Sequence, residues 1–285
     1  MSIILNEVKY AEQILSGEEP ANKPYATLTL LGKYYRQKVG LKPMETITAL
    51  NDFMVSHYDD YNPDSWEEVI EKIARSKKYL IRELDHIEIM QTELDCIALI
   101  DDLNLQKIMF TMLCYAKFYN AINPRNNNWI NTDIAEIFKN ARVNTRCRKD
   151  KLLILNKLLN MAKCDGEPYI SLSKKNTNTN VKLNFLDISG KPVLQISDFR
   201  ELGYAYLQYL GKEQFTHCEK CSLLIKKGKR RPKYCSNCAK NINREKTRQR
   251  MQNLRAWKCL ILFGPKIHVF MMVFGHLAIF VIMKR

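Results

Sequence analysis

Two pairs of cysteines, Cys218 with Cys221 and Cys235 with Cys238, constrain the fold of this chain more than any other feature. Each pair has a two-residue gap, and 13 residues rich in lysine and arginine separate the pairs. Such a segment has too few apolar side chains to fold by burial. A two-residue gap lets both sulfurs reach one ion at about 2.3 Å, and two pairs complete a tetrahedron. We predict a zinc ribbon around a structural Zn²⁺, with Gly228 and Pro232 in its β-turn.

Two other interpretations of the four thiols stay open. They could lie unpaired in a flexible basic linker, or one pair could be a redox dithiol, although neither pair shows a strand-to-helix pattern. The start of the sequence lacks a signal-peptide pattern, so we expect a cytoplasmic, reducing location in which disulfides are disfavoured. Five further cysteines lack paired spacing: Cys96, Cys114, Cys147, Cys164 and Cys259.

The positive charge of the chain is concentrated near its C-terminal end. The net charge is +15, yet residues 1–211 contain equal numbers of basic and acidic residues. Residues 212–258 contain 15 basic and 3 acidic residues, so this region attracts nucleic acid or an anionic membrane. A solvated face is the alternative. The candidate nucleic-acid contacts here are Lys226, Lys227, Lys229, Arg230, Arg231, Lys233, Arg244, Arg248 and Arg250.

Residues 101–211 carry the pattern of a winged helix-turn-helix followed by a short strand and a closing helix. An apolar helix over 103–122 precedes a short helix near 133–141 and a longer one over 146–163. Two alternating runs around an Asn-rich tip predict a β-hairpin. In the longer helix, one buried face is expected from four residues: Leu152, Leu155, Leu159 and Ala162.

A second cluster of basic residues lies at the start of that longer helix, where a recognition helix enters the major groove of DNA. Packing against another protein is the alternative use of such a fold. The candidate contacts in this cluster are Arg142, Arg146, Arg148, Lys149 and Lys151.

The tail over 259–285 is strongly apolar, with 17 residues free of formal charge between Ile267 and Met283. Its length is near the lower limit for a membrane-spanning helix. Three interpretations stay open: a membrane anchor with the body in the cytoplasm, a buried helix, or a terminus produced by an altered reading frame.

About residues 25–250 resemble uncharacterised proteins of bacterial prophages and related mobile elements. The resemblance is carried by runs such as LGKYYRQKVGLKP, FTMLCYAKFYNAINPRNNNWINTDIAEIFKNARV and KYCSNCAKNINREKTR. It implies a helical front, a winged-helix-like middle and a C-terminal zinc ribbon with the four paired cysteines as ligands. It implies no catalytic residue, and the chain departs from it after about Arg255.

The predicted fold class is therefore mainly α with small β elements, and the predicted function is non-enzymatic DNA binding in replication or transcription. We expect a helical N-terminal region over 1–100, the winged-helix-like domain over 101–211, and the ribbon with its basic helix over 212–258. No phosphate loop, metalloprotease motif or nucleophile elbow is present. The alternatives are a membrane-anchored interaction protein, a protein-binding adaptor, and a nuclease or primase whose carboxylates meet only in the fold.

Overall fold

The computed structural model describes residues 3–19, 21, 23–163, 166–175, 178–187, 190–228 and 232–262. At 174–175, 178–179 and 256–262 it describes only the backbone. Helices account for 55% and strands for 12%, which confirms the mainly α class with small β elements. The chain divides into two compact units, and the second begins at His217.

The N-terminal region is an assembly of four helices around its own apolar core. Helices α3 and α4 begin at prolines, since proline suits the first helical position. A π-helical turn over Tyr35–Val39 ends at Gly40, whose φ is 83°. The four helices are α1 (Glu7–Leu15), α2 (Pro24–Tyr34), α3 (Pro43–His57) and α4 (Pro63–Arg75). Fully buried core residues include Leu28, Leu31, Leu50 and Ile70.

A second and larger core begins before residue 100. Strand β1 (Ile87–Met90) and helix α5 (Gln91–Ala98) pack into the same apolar cluster as the middle of the chain. Strand β1 pairs antiparallel with β5 (Pro192–Ile196), far along the chain. This pairing could not be predicted from the sequence. Strand β1 has only four residues, too few to show the alternating pattern of a strand, and its partner lies about one hundred residues away.

The middle region has the predicted order of three helices followed by a hairpin. Helix α6 is buried on most sides, and a two-residue strand, β2, joins the hairpin so that the sheet order is β2-β4-β3. The extra strand pairs Trp129 with Lys182 and Ile130 with Val181. The elements are α6 (Leu103–Ile122), β2 (Trp129–Ile130), α7 (Ile134–Asn140), α8 (Arg148–Asn160), β3 (Ile170–Lys175) and β4 (Asn178–Leu183).

The predicted buried face of α8 was wrong in part. Leu155 and Leu158 are the fully buried leucines, whereas Leu152 is 38% exposed. Helix α8 ends before Ala162, which forms an isolated bridge with Pro168. The run of leucines allows more than one buried stripe, and packing against α7 and β3 selects the one that contains Leu155 and Leu158.

Helix α9 (Leu202–Tyr209) is the predicted closing helix, and its first turn lies directly on the turn between α7 and α8. A Cβ atom added to Gly203 would lie 2.0 Å from the carbonyl oxygen of Ala141. Only glycine permits this approach. Further along, the ring of Tyr206 packs against Phe110 of α6, with 5.0 Å between the ring centroids.

The second unit begins in a short hairpin and continues into one long helix. Strand β6 (Phe215–His217) pairs with β7 (Leu224–Lys226), and α10 spans Ser236–Leu262. The predicted basic helix is thus part of α10, which continues past the expected boundary at 258. Over the residues described, no helix combines the length and the apolar character needed to cross a bilayer. Most of the predicted apolar tail, 263–285, lies outside the described residues.

Candidate metal centre and nucleic-acid interface

The first cysteine pair lies on the tight turn between β6 and β7. The Cys218 N–H donates to the Leu223 carbonyl at 2.9 Å, and the Ser222 N–H donates to the Cys218 carbonyl at 2.9 Å. Ser222 has a φ of 54°, a left-handed conformation that reverses the chain immediately after Cys221. These bonds fold the turn back, so that the sulfurs of Cys218 and Cys221 point to one side.

The second pair lies at the start of α10. Residues 229–231 of the predicted β-turn between the two pairs lie outside the described residues. The Cys238 N–H donates to Sγ of Cys235 at 3.4 Å, so this sulfur caps the first turn of the helix. The Cys235 N–H donates to Sγ of Cys218 at 3.3 Å and joins the two pairs. A further backbone bond connects the Glu219 N–H to the Lys233 carbonyl at 3.0 Å.

The four sulfurs have the spacing of a tetrahedral metal site. All four Sγ atoms lie within 4.8 Å of one another, and those of Cys221 and Cys235 are 3.7 Å apart. A tetrahedron with metal–sulfur distances of about 2.3 Å has edges of about 3.8 Å. In the part of the chain that the structure describes, this is the one cluster of three or more metal-ligating side chains. The four predicted ligands therefore meet in a cluster that could hold a metal ion.

The clustered thiols differ in the ease with which they ionise. Burial opposes the Cys218 thiolate, but N–H groups of Cys235, Lys220 and Cys221 outweigh it and lower the pKa to about 6. Burial and the neighbouring sulfurs raise the pKa of Cys238 to about 12. Several thiolates at these distances repel one another, and a divalent cation between them removes the repulsion.

Four of the five predicted cations of the basic cluster near α8 lie at the N-terminal end of that helix. Arg148 and Lys149 are exposed in its first turn, and Lys151 is partly buried. Exposed Arg146 precedes the helix and donates its backbone N–H to Oδ2 of Asp150 at 3.1 Å. Four of the five predicted cations thus lie together on or beside one helix end.

Arg142 stands apart from this group because its side chain is held by α9. Its guanidinium forms a two-bond ion pair with Glu201 and lies 5.2 Å from the ring centroid of Tyr204. Hydrogen bonding to Glu201 raises the pKa of Arg142 above its ordinary value. The Arg142 carbonyl accepts a hydrogen bond from buried Lys107 at 3.1 Å. These contacts fix the turn between α7 and α8.

A cleft of about 490 Å³ lies beside the basic cluster. Residues 131–135 at the start of α7 line one side, Arg148 and Lys151 line a second side, and Asn180 of β4 lines a third. The lining has two amides, one hydroxyl and two cations, together with the Asp133 carboxylate, which accepts the Ala135 N–H as the cap of α7. Two cations against one carboxylate suit an anionic, hydrogen-bonding group such as a sugar-phosphate.

The basic residues of the second unit that the structure describes are exposed. Lys226 and Lys227 lie at the end of β7, and Lys233 is 3.8 Å from Glu219. Arg244, Arg248 and Arg250 lie on α10, where Arg248 is 3.3 Å from Glu245. Lys229, Arg230 and Arg231 lie outside the described residues.

Sequence reasoning missed two groups of residues at these sites. Buried Lys107 supports the turn at Arg142, and the available signal was a lysine in the first half of the predominantly apolar α6. The exposed side of α8 carries Leu152, which was predicted to be buried, together with Leu153 and Asn156, which the leucine pattern did not single out.

Comparison with protein-family models, with curated proteins and with solved structures found no match to this chain.

Proposed function

We propose that this protein is a non-enzymatic, zinc-stabilised DNA-binding protein. In this proposal the middle of the first unit is a winged helix-turn-helix whose α8 enters the major groove. The second unit binds the phosphate backbone. The observation that carries the proposal is the four-sulfur cluster at the start of a long, exposed and basic helix.

Zinc is the metal that fits the cluster best. Four thiolate ligands in a tetrahedron are typical of Zn²⁺ or of iron–sulfur centres, and four protein ligands leave no position open for substrate. The site is therefore structural. Among the described side chains from His217 onward, only Cys218 and Cys235 are buried, so the metal takes the place of an apolar core.

Phosphate binding is the use of the basic surface that its charge distribution supports. Residues 212–258 carry +12, and a zinc ion with four thiolates changes this to about +10. On α10, Lys240, Arg244 and Arg248 follow at four-residue intervals and form one stripe along the helix. The 27-residue helix is about 40 Å long, enough to follow several phosphates. Binding would be driven by counterion release and would weaken with added salt.

Metal analysis tests the first half of the proposal. Protein purified without added metal should contain one zinc per chain by plasma mass spectrometry, and it should lose this zinc when Cys221 and Cys238 are changed to serine. Iron in place of zinc would contradict the choice of metal, and a metal-free, folded second unit would contradict the site.

Salt-dependent duplex binding tests the second half. Replacing Lys240, Arg244 and Arg248 together with glutamine should lower the slope of log affinity against log salt by about 2 to 3, because each lost phosphate contact removes about 0.9. The matched control is the triple glutamine variant of Lys72, Lys77 and Lys78, which are exposed in the first unit. Equal losses in the two variants would contradict a role for α10.

A further inference from the structure

Helix α8 has one buried face and one face that is open to solvent. Leu155 and Leu158 are buried, whereas Leu152 and Leu153 are 38% and 54% exposed. Lys149 and Asn156 are also exposed. The two exposed leucines form a small apolar surface beside the cations at the start of α8.

The exposed residues form one continuous patch. Leu152 lies three positions after Lys149 and four positions before Asn156. Leu153 lies four positions after Lys149 and three positions before Asn156. Residues at these intervals are neighbours on a helix surface. The patch, which we call the 149–156 patch, therefore has an ammonium group at one end, an amide at the other and two isobutyl groups between them.

The charge around the patch favours nucleic acid as its partner. Arg146 and Arg148 flank it on the N-terminal side, and both are exposed. Asp150 is the one acidic residue within α8, and its carboxylate accepts the backbone N–H of Arg146. A cationic rim around a small apolar patch fits the major groove, which is lined by phosphates and contains thymine methyl groups.

We propose that the 149–156 patch reads A·T base pairs in the major groove of duplex DNA, an inference that rests on the proposed function. The Asn156 amide pairs with N6 and N7 of adenine through two hydrogen bonds, the pairing that an asparagine side chain makes with adenine. Leu152 and Leu153 contact the C5 methyl groups of neighbouring thymines. Lys149 donates to a guanine O6 or N7 at the edge of the site. The patch contains no carboxylate to accept from cytosine N4.

Modified bases test each contact separately. The zinc-loaded full-length protein is first used to select duplexes from a random library, and the selected sites should contain at least two adjacent A·T pairs. Replacing the thymines of that site with uracil removes only the methyl groups, and we expect binding to weaken about five-fold. Replacing adenine with 7-deazaadenine removes only N7, and we expect a loss of about ten-fold.

Variants then assign the two effects. Asn156→Ala should remove the sensitivity to 7-deazaadenine, and Leu152→Ala with Leu153→Ala should remove the sensitivity to uracil. The control is Asn104→Ala, another exposed asparagine on a helix of the first unit, which should keep both sensitivities. All variants change exposed side chains, so unchanged thermal unfolding of the first unit confirms that they fold.

The outcomes separate this inference from the proposed function. Failure to bind any duplex at low salt overturns both. Duplex binding with no preference for A·T pairs, or with base sensitivities that persist in the variants, overturns the inference and leaves the proposed function in place. A change in oligomeric state of the leucine variant with unaltered base sensitivities assigns the patch to contact between copies, and this also overturns the inference.

Discussion

The first unit of this protein is held by two apolar cores, whereas its second unit brings together four cysteine sulfurs that could hold a metal ion. Helix α6 alone contributes ten buried residues to the larger apolar core of the first unit. From His217 onward, the buried side chains among those described are Cys218 and Cys235. Burial of apolar surface stabilises a large domain through many small contributions, while a metal site places most of the folding free energy in four bonds. Different treatments should therefore unfold the two units.

Removing the metal is the largest expected perturbation and would separate the two units. Zinc binding contributes on the order of 10 kcal/mol in small Cys-rich modules, so a chelator should unfold the base of the second unit. Hydrogen exchange should show lost protection at the amides of Cys218, Ser222 and Cys238, with α6 still protected. Cys147 is an exposed cysteine of the first unit and not one of the four clustered thiols, so the control variant Cys147→Ser should respond to the chelator as the unchanged protein does. Amides of the second unit that stay protected after chelation would contradict the expectation that this unit needs a metal to fold.

Breaking a buried ion pair should act on the first unit alone. Glu93 is 1% exposed, lies 2.8 Å from the ammonium of Lys117, and accepts N–H groups of Met90 and Asp187. Glu93→Gln leaves the lysine charge buried without its counter-charge, and we expect a loss of about 3 kcal/mol in unfolding free energy. Denaturant titration measures it, with zinc content unchanged. Glu88→Gln, at a half-exposed carboxylate, is the control; an equal effect would contradict the role of burial.

Changing a single glycine in each unit tests the difference in packing. Gly203→Ala places a methyl group against the Ala141 carbonyl and should cost about 2 to 3 kcal/mol, because backbone must move. Gly228 of the second unit has no atom within 4 Å of an added Cβ, so Gly228→Ala should change neither stability nor zinc content. Thermal unfolding compares the two variants. A tolerated Gly203→Ala would show that the contact between α9 and the α7–α8 turn is loose.

The smallest expected effect lies on the exposed helix of the second unit. Glu245 is half-exposed and lies 3.3 Å from Arg248, so Glu245→Gln should change stability by less than about 0.5 kcal/mol. The same change removes an acidic charge from α10 and should strengthen duplex binding slightly at low salt. Gln249→Glu, at another exposed position, should weaken it. Fluorescence anisotropy at two salt concentrations measures both changes, and shifts of the same sign would contradict the phosphate-binding role.

Local patterns predicted much of this molecule. Prolines at 43 and 63 mark the starts of α3 and α4, and the Asn-rich tip marks the β3–β4 hairpin. These signals worked because each depends on a few adjacent residues. The pairing of β1 with β5 depends on residues about one hundred positions apart, and nothing local encodes it.

The sequence alone determined that Cys218, Cys221, Cys235 and Cys238 should meet, because closely spaced thiols in a segment with few apolar residues have little other means of folding. Tertiary structure decided that the second pair starts α10, where the Cys235 sulfur caps the first turn. It also held Arg142 against Glu201 and left Leu152 and Leu153 exposed. A helix rich in leucine can present several faces, and only packing against its neighbours selects the one that is buried.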